Sequence, residues 1–254
     1  MIPKLAHFYW SGPPMSWLRQ QSIESFKMHN PTWSVELHLG SDSSSSRTQR
    51  VIQSDRSRYE ILFQIGGMYF DTDILFVAPI PDEWLVRDNA MVLGETGIAM
   101  GIGVLGSQSG SRLFAGMMAE CDRRAESNIV WSYQSFGLKL IAGLDMRQVA
   151  MKHGETIHSI PFPSLFPVRW NDLERLWSPI NLDLGDNLVG VHWFGGDELS
   201  IEYEWKITPD SIEDVPCPIT DILKRNGNGS TLVSGADSIA PYDTLRGEQH
   251  HGTS

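Results

Sequence analysis

Asp71 and Asp73 stand two residues apart at the end of the run Gly66-Gly67-Met68-Tyr69-Phe70-Asp71-Thr72-Asp73. In an extended segment side chains alternate, so both carboxylates project the same way. Two hard oxygen ligands side by side suit Mg²⁺ or Mn²⁺, and such a cation can hold a diphosphate. The plainer reading is a strand end with two solvated acids. Two features weigh against it: Gly66-Gly67 lets the backbone bend sharply into the segment, and Tyr69 and Phe70 make the acids emerge from an apolar element. Adjacent carboxylates repel each other unless a cation or a proton sits between them. Upstream, Asp55 and Arg58 lie three apart, neighbours on one helical face. They read either as a surface ion pair of little worth or as an acceptor of sugar hydroxyl hydrogens beside a rigid donor fork.

The elements that must position these groups follow from periodicity and punctuation. Residues 4–10 read as a buried strand, and Ser11-Gly12-Pro13-Pro14 as a loop. Residues 15–29 suit a helix burying Trp17, Leu18, Ile23 and Phe26, stopped by Asn30-Pro31. Ser34–Leu39 alternates as a half-buried strand. Residues 41–46 form a polar loop in which Asp42 or a serine caps the next helix. Asp55–Ile65 is a helix with Tyr59, Leu62 and Phe63 on one stripe and Gly66 as its cap. Residues 68–77 form the strand carrying Asp71 and Asp73, ended by Pro79 and Pro81. Further strands are expected at 90–93, 98–105, 155–160 and 188–193, and helices at 111–125 and 131–142.

The chain has 254 residues, 41% of them hydrophobic and 20% charged, and a net charge of -11. This suits one large α/β domain. The acidity and the lack of a Lys/Arg run argue against nucleic acid and against docking on anionic lipid. Cys121 and Cys217 are far apart, which makes a disulfide framework improbable by spacing and a reducing, cytoplasmic setting the default. Met1-Ile2-Pro3-Lys4 runs straight into the first strand and does not resemble a leader. No segment approaches the ~20 apolar residues of a membrane span. Composition changes after Leu223, so residues 1–223 are expected to form the domain and 224–254 a flexible Gly/Ser-rich tail.

Ile2-Pro3-Lys4, His7 and Trp10 before a Gly-Pro loop, then Ser54-Asp55-x-x-Arg58, Leu62 and Gly66-Gly67-x-Tyr69-x-Asp71-x-Asp73, resemble glycosyltransferase family 32. That family includes the DXD sugar-binding-region transferases, initiating α-mannosyltransferases and bacterial polysaccharide glycosyltransferases, with the large clostridial glucosylating toxins as more distant relatives. The resemblance is specific over residues 2–80 and looser beyond, where Pro161–Trp170 and Val191-His192-Trp193 look like later family segments. It implies a GT-A fold, a Rossmann-like α/β sheet that binds a nucleotide-sugar, with Mn²⁺ (or Mg²⁺) as cofactor. It further implies transfer of a hexose from a UDP- or GDP-sugar to a glycan or other hydroxyl acceptor, with retention of configuration, as in polysaccharide biosynthesis. By the same resemblance Trp10 would stack on the nucleobase, and Asp55 and Arg58 would hold the donor. Asp71 would touch ribose, sugar or metal, Asp73 would be the main metal ligand, His192 would complete the metal site and Trp193 would line the donor phosphates.

By residue type alone Trp10 reads as core or as a stacking face, while His7 and His192 read as core. His153, His158, His250 and His251 have no partners by spacing. The middle of the chain departs from the family pattern, offering Gly101-Ile102-Gly103 and Tyr133-Gln134-Ser135-Phe136-Gly137. Gln134 is the candidate there to approach the reacting carbon. No other carboxylate stands out as a general base, which the front-side route that the resemblance suggests does not require, because the leaving phosphate can take the acceptor proton. Two other readings stay open. One is a phosphatase in which Asp71 is nucleophile and Asp73 general acid. The other is a sugar-nucleotide or glycan binding module without catalysis.

Overall fold

The computed structural model describes residues 1–40, 46–127, 132 and 134–227. Its frame is a six-stranded mixed sheet with helices on both faces, the α/β class expected. Along the chain the first elements are β1 (Leu5–Trp10), α1 (Trp17–His29), β2 (Ser34–Leu39), α2 (Arg47–Gln64), β3 (Gly67–Phe70) and β4 (Ile74–Phe76). Then come β5 (Asn89–Val92), β6 (Val104–Ser107), α3 (Arg112–Ala125), α4 (Met146–Lys152) and β7 (Ile157–Ile160). The last elements are α5 (Glu174–Trp177), β8 (Gly190–His192), α6 (Glu198–Lys206) and α7 (Pro218–Gly227). The large sheet has the order β2-β1-β3-β6-β5-β7, and β4 pairs with β8 in a separate two-stranded sheet. β1 runs parallel to β2 and β3, while β6 is antiparallel to both β3 and β5.

Alternation along β3 shows how the sheet is buried on both faces. Met68 and Phe70 enter a core with Phe8, Phe26 and Phe76 on the α1 side. Tyr69 enters a second core with Tyr59, Leu62, Leu105 and Phe114 under α2 and α3. A third core joins Leu18, Leu75, Val191 and Trp193 to Trp177 and the apolar face of α7. Cys121 and Cys217 are both free and buried, as small core residues are expected to be. No helix among the described residues is long and apolar enough to cross a membrane.

Several elements differ from the sequence expectation. Strand 68–77 is two strands: β3 ends at Phe70, the chain turns through Asp71-Thr72-Asp73, and β4 leaves for another sheet. α2 starts at Arg47, eight residues before Asp55, because Ser46 and Gln49 form a reciprocal capping box. The expected strand 98–105 survives only from Val104; before it the chain loops through Gly101 and Gly103, with one isolated bridge between Leu93 and Ala99. Residues 134–142 of the expected helix 131–142 form turns and a short 3₁₀ segment, Leu138–Leu140, because Gly137 adopts ψ -126° and breaks the helical course. Trp131 and Tyr133 lie outside the described residues, as do 41–45, where Asp42 falls. α7 carries the chain to Gly227, so residues 224–227 form its last turn; residues 228–254 lie outside the described residues.

The turn into β3 uses glycine for a steric reason. Gly67 has φ +105°, and a Cβ there would lie 2.5 Å from the Leu5 carbonyl oxygen. Gly110 also has positive φ, +76°, yet a Cβ would meet nothing within 4 Å. Gly67→Ala is therefore expected to cost about 2–4 kcal/mol, conformational strain plus backbone collision. Gly110→Ala is expected to cost only about 1 kcal/mol, from strain alone. Urea unfolding of the two variants checks the contrast.

Candidate active site

Asp71 and Asp73 face one another across the turn between the two sheets. The pairing of Ile74 with His192 carries a third group to them, and the Trp193 N–H donates to the Asp73 carbonyl at 2.9 Å. One oxygen from each aspartate and Nε2 of His192 lie within 4.8 Å of one another. Nε2 is 3.3 Å from Asp73 Oδ1 and 3.8 Å from Asp71 Oδ2. The two acids do come together, but a turn and not a continuous strand aligns them.

Each carboxylate is held from a different direction. The Asp71 N–H donates to the Gly103 carbonyl at 2.8 Å, and Arg58 Nη2 lies 3.4 Å from its carboxylate. Burial alone would raise the Asp71 pKa, but Arg58 and His192 outweigh it and hold the group below the usual carboxylate range. Asp73 Oδ2 accepts from the Gly195 N–H at 2.7 Å, whereas its Oδ1 is buried with no hydrogen-bond partner. A buried carboxylate oxygen without a partner is costly and calls for a cation. The residues present therefore fit a divalent ion held by Asp71 and Asp73. His192 fits less simply. Its Nδ1 accepts from the Phe194 N–H at 3.2 Å, which places the ring proton on Nε2, the atom facing both acids. Without a metal the Nε2 proton faces the two carboxylates at ion-pair distance, without a hydrogen bond to Asp73 Oδ1. To ligate through Nε2, His192 must move that proton to Nδ1 and give up the Phe194 contact. Burial disfavours the imidazolium, but Asp73 and Asp71 outweigh burial and raise the His192 pKa. Phe194 itself has φ +51°, an uncommon conformation for an aromatic residue, on the turn that aims the Gly195 N–H at Asp73.

The longer α2 brings Asp55 and Arg58 against this pair. Arg58 Nη2 is 3.1 Å from Asp55 Oδ1, its Nη1 donates to the Ile102 carbonyl at 2.8 Å, and its guanidinium lies over the Tyr69 ring. The two residues are buried, so the plain surface ion pair is excluded. Burial, with Asp71 adding repulsion, outweighs Arg58 and raises the Asp55 pKa to about 6. Two glycines leave room for this cluster. A Cβ at Gly103 would lie 2.5 Å from Asp71 Oδ2, and one at Gly137 would lie 2.7 Å from Asp55 Oδ2. Both belong to the segments that marked the middle of the sequence as a departure.

These groups line one cavity of about 1090 Å³. Trp10 and Gln134 also line it. Trp193 does not: it is fully buried in the third core, edge-on to Trp177, and cannot line a ligand's phosphates. Its place is one layer down. The Arg19 guanidinium is 4.9 Å from the ring centroids of both Trp10 and Trp193. Arg19 was not anticipated from sequence. It donates to Glu204 of α6 through Nε at 2.7 Å and Nη2 at 3.0 Å, to the Thr72 hydroxyl at 3.0 Å and to the Gly195 carbonyl at 3.1 Å. It therefore ties the turn between the aspartates to the turn that caps Asp73. A lone arginine in a helix, 185 residues from its partner, leaves no local signal.

Residues 5–91 match the family model of a glycosyltransferase sugar-binding region containing a DXD motif. Over 57 residues the chain is 37% identical to the Homo sapiens alpha-1,4-N-acetylglucosaminyltransferase, a stretch that is 22% of this chain and 17% of the human protein's length. Among solved structures it is similar to PaToxG glycosyltransferase, at 14% identity and TM-score 0.42, covering 88% of this chain and 87% of that one. It is also similar to a glycosyltransferase involved in glycosylation of the major capsid of PBCV-1, at 9% identity and TM-score 0.43, covering 80% and 99%.

Arg19→Met strands the buried Glu204 carboxylate and is expected to cost about 3–5 kcal/mol, most of it recovered by Arg19→Met with Glu204→Leu; a double-mutant cycle in urea reads both values. Asp55 titrates in the opposite sense to a stabilising ion pair. Its folded pKa of about 6 lies above the ordinary carboxylate value, so the fold prefers the protonated form. That contribution is present at low pH and is lost as pH rises from ~4 to ~6. Asp55→Asn is expected to gain about 1–3 kcal/mol on the unmodified protein across that window; unfolding free energies at pH 4, 5, 6 and 7 check the slope.

Proposed function

We propose, from the match of residues 5–91 to a glycosyltransferase sugar-binding region that carries a DXD motif, that the chain is a metal-dependent glycosyltransferase of GT-A type. It moves a hexose from a UDP- or GDP-sugar to a glycan or other hydroxyl acceptor. The observation that carries this reading is the buried Oδ1 of Asp73, which accepts no hydrogen bond and has only His192 Nε2 at 3.3 Å, set beside Asp71 and the Asp55–Arg58 pair in one cavity. The chain spans 17% of the length of the human relative it matches, and the match to the family model covers residues 5–91.

Asp71 and Asp73 hold Mn²⁺ or Mg²⁺ through carboxylate oxygens, with His192 beside them. Such an ion, when bound, neutralises the charge developing on a diphosphate leaving group and orients it. The remaining roles belong to the chain. Trp10 offers an aromatic face for the base, fixed because its indole N–H donates to the Pro13 carbonyl at 2.8 Å and Arg19 lies beneath it. Arg58 supplies a permanent cation to the donor, and Asp55, on the same guanidinium, accepts from donor hydroxyls. Gln134, on the cavity wall, is placed to reach the transferred sugar. Trp170, 71% exposed at the cavity margin beside Arg169 and Asn171, is the platform for a saccharide acceptor.

We read the transfer as retaining, a reading that the same arrangement supports. The cavity's carboxylates among the described residues are Asp55, Asp71, Asp73 and Asp197. The first is tied to Arg58, the next two form the cation site, and Asp197 caps α6 through the Leu199 N–H. The acceptor hydroxyl then attacks the anomeric carbon on the face the diphosphate leaves, the carbon–phosphate oxygen bond breaks, and the departing phosphate oxygen takes the hydroxyl proton.

Calorimetry with UDP and GDP, with and without Mn²⁺, tests the reading. Nucleotide binding is expected to need the ion and to weaken at least about 100-fold in Asp73→Ala, since a second-shell loss alone costs about 10–100-fold. Slow donor hydrolysis with Mn²⁺ is expected alongside. Metal-independent binding overturns the cation role. Metal-dependent binding with neither hydrolysis nor transfer to any hydroxyl overturns catalysis and leaves a binding module.

A further inference from the structure

A second set of ligand atoms converges away from the cavity, on the edge of the large sheet. β2 is the edge strand, and its parallel register places Glu36 opposite His7 and His38 opposite Tyr9. Side chains two apart on a strand share a face with their registered partners, so His7, Glu36 and His38 meet. His7 Nδ1 is 3.0 Å from His38 Nε2 and 3.5 Å from Glu36 Oε2, and His38 Nε2 is 3.7 Å from the same oxygen. Tetrahedral ligation with bonds of about 2.0–2.1 Å separates ligand atoms by about 3.3 Å. The triangle already has the size of a metal's ligand face.

The orientation of His7 is fixed by the main chain. Its Nε2 lies 2.7 Å from the Gly66 carbonyl oxygen, which can only accept, so the ring proton is on Nε2 and the Nδ1 lone pair points at the other two groups. A histidine whose second nitrogen donates to a backbone carbonyl is the usual outer-shell arrangement of a metal ligand. His7 is fully buried, whereas the His38 and Glu36 side chains are 21% and 32% exposed, giving an inner anchor and two outer ligands that solvent can reach. Burial lowers the pKa of both imidazoles, that of His38 to about 4. Without a metal, one His38 N–H directed at His7 accounts for the shortest contact.

The geometry points to a Zn²⁺-class divalent metal site formed by His7 Nδ1, His38 Nε2 and a Glu36 carboxylate oxygen, distinct from the Asp71–Asp73 site. Two imidazoles and one carboxylate suit zinc or cobalt over the magnesium and manganese that carboxylates prefer. Solvent would complete the coordination. The bound ion would staple the edge strand to β1 and, through Gly66, to the turn that leads into β3. The inference does not depend on the transferase reading.

The test is Co²⁺ and Zn²⁺ binding to the full chain carrying His250→Ala and His251→Ala, which removes the adjacent histidines near the C-terminus as a rival site. One equivalent of Co²⁺ with the strong visible absorption of a low-coordinate ion is expected, and Zn²⁺ is expected to raise the melting temperature. Both signals are expected to persist when Asp71→Asn and Asp73→Asn are added, and to disappear with His38→Gln or with Glu36→Gln. These two side chains are partly exposed on an edge strand, and far-UV circular dichroism confirms that each variant keeps its fold. Absence of a bound equivalent in the parent overturns the proposal, as does binding insensitive to both edge-strand variants or binding lost with the aspartates.

Discussion

The structure turns on the problem of keeping two carboxylates close together in a mostly buried turn. Asp71 and Asp73 would repel each other there, and the surroundings offset that repulsion from several sides: Arg58 at 3.4 Å, the Gly195 N–H at 2.7 Å and the His192 ring between them. One atom, Asp73 Oδ1, is left over. The arrangement supplies a hydrogen bond or a cation to every carboxylate oxygen named here except that one, which has only the His192 ring nearby.

Holding those partners in place explains much of the architecture around the turn. β3 belongs to the large sheet and β4 to the small one, so the aspartates sit where the chain changes sheets. The β4–β8 pairing then delivers His192, and the residues after it supply Gly195. Arg19 closes the assembly from beneath, with its charge matched by Glu204 and its faces against Trp10 and Trp193. A buried arginine with a full set of acceptors is rigid, and it holds the Trp10 ring and the aspartate turn in fixed positions. The glycines at 103 and 137 complete the device by absence, since a Cβ at either would collide with a working carboxylate.

Legibility in the sequence followed the range of the interaction that set each feature. β2 was placed at its residues, and β1, α1 and α3 within a few, because period, caps and proline stops are local. The serine cap expected within residues 41–46 is Ser46, yet the apolar stripe alone places the helix only from Asp55, because its first two turns carry little apolar periodicity. The break of strand 68–77 was not legible: Ile74, Leu75 and Phe76 are as strand-like as Met68 to Phe70, and only their pairing partner differs. Trp193 was misplaced because its neighbour His192 does face the cavity, and one residue along a strand reverses the side. α4, α6 and α7 gave short patterns that had not been separated from loop.

By itself the sequence determined the chemistry available: two acids at fixed spacing, an acid and an arginine one helical turn apart, and glycines where the backbone must turn. Those choices are local, and residue type with spacing suffices to state them. Tertiary structure alone decided which groups meet. It chose Arg19 and Glu204 as partners across 185 residues, brought His192 to the aspartates and excluded Trp193, and set His7 against Glu36 and His38 at the sheet edge. Contacts of that kind depend on strand order and on which face a side chain takes, and both are fixed only when the whole core packs.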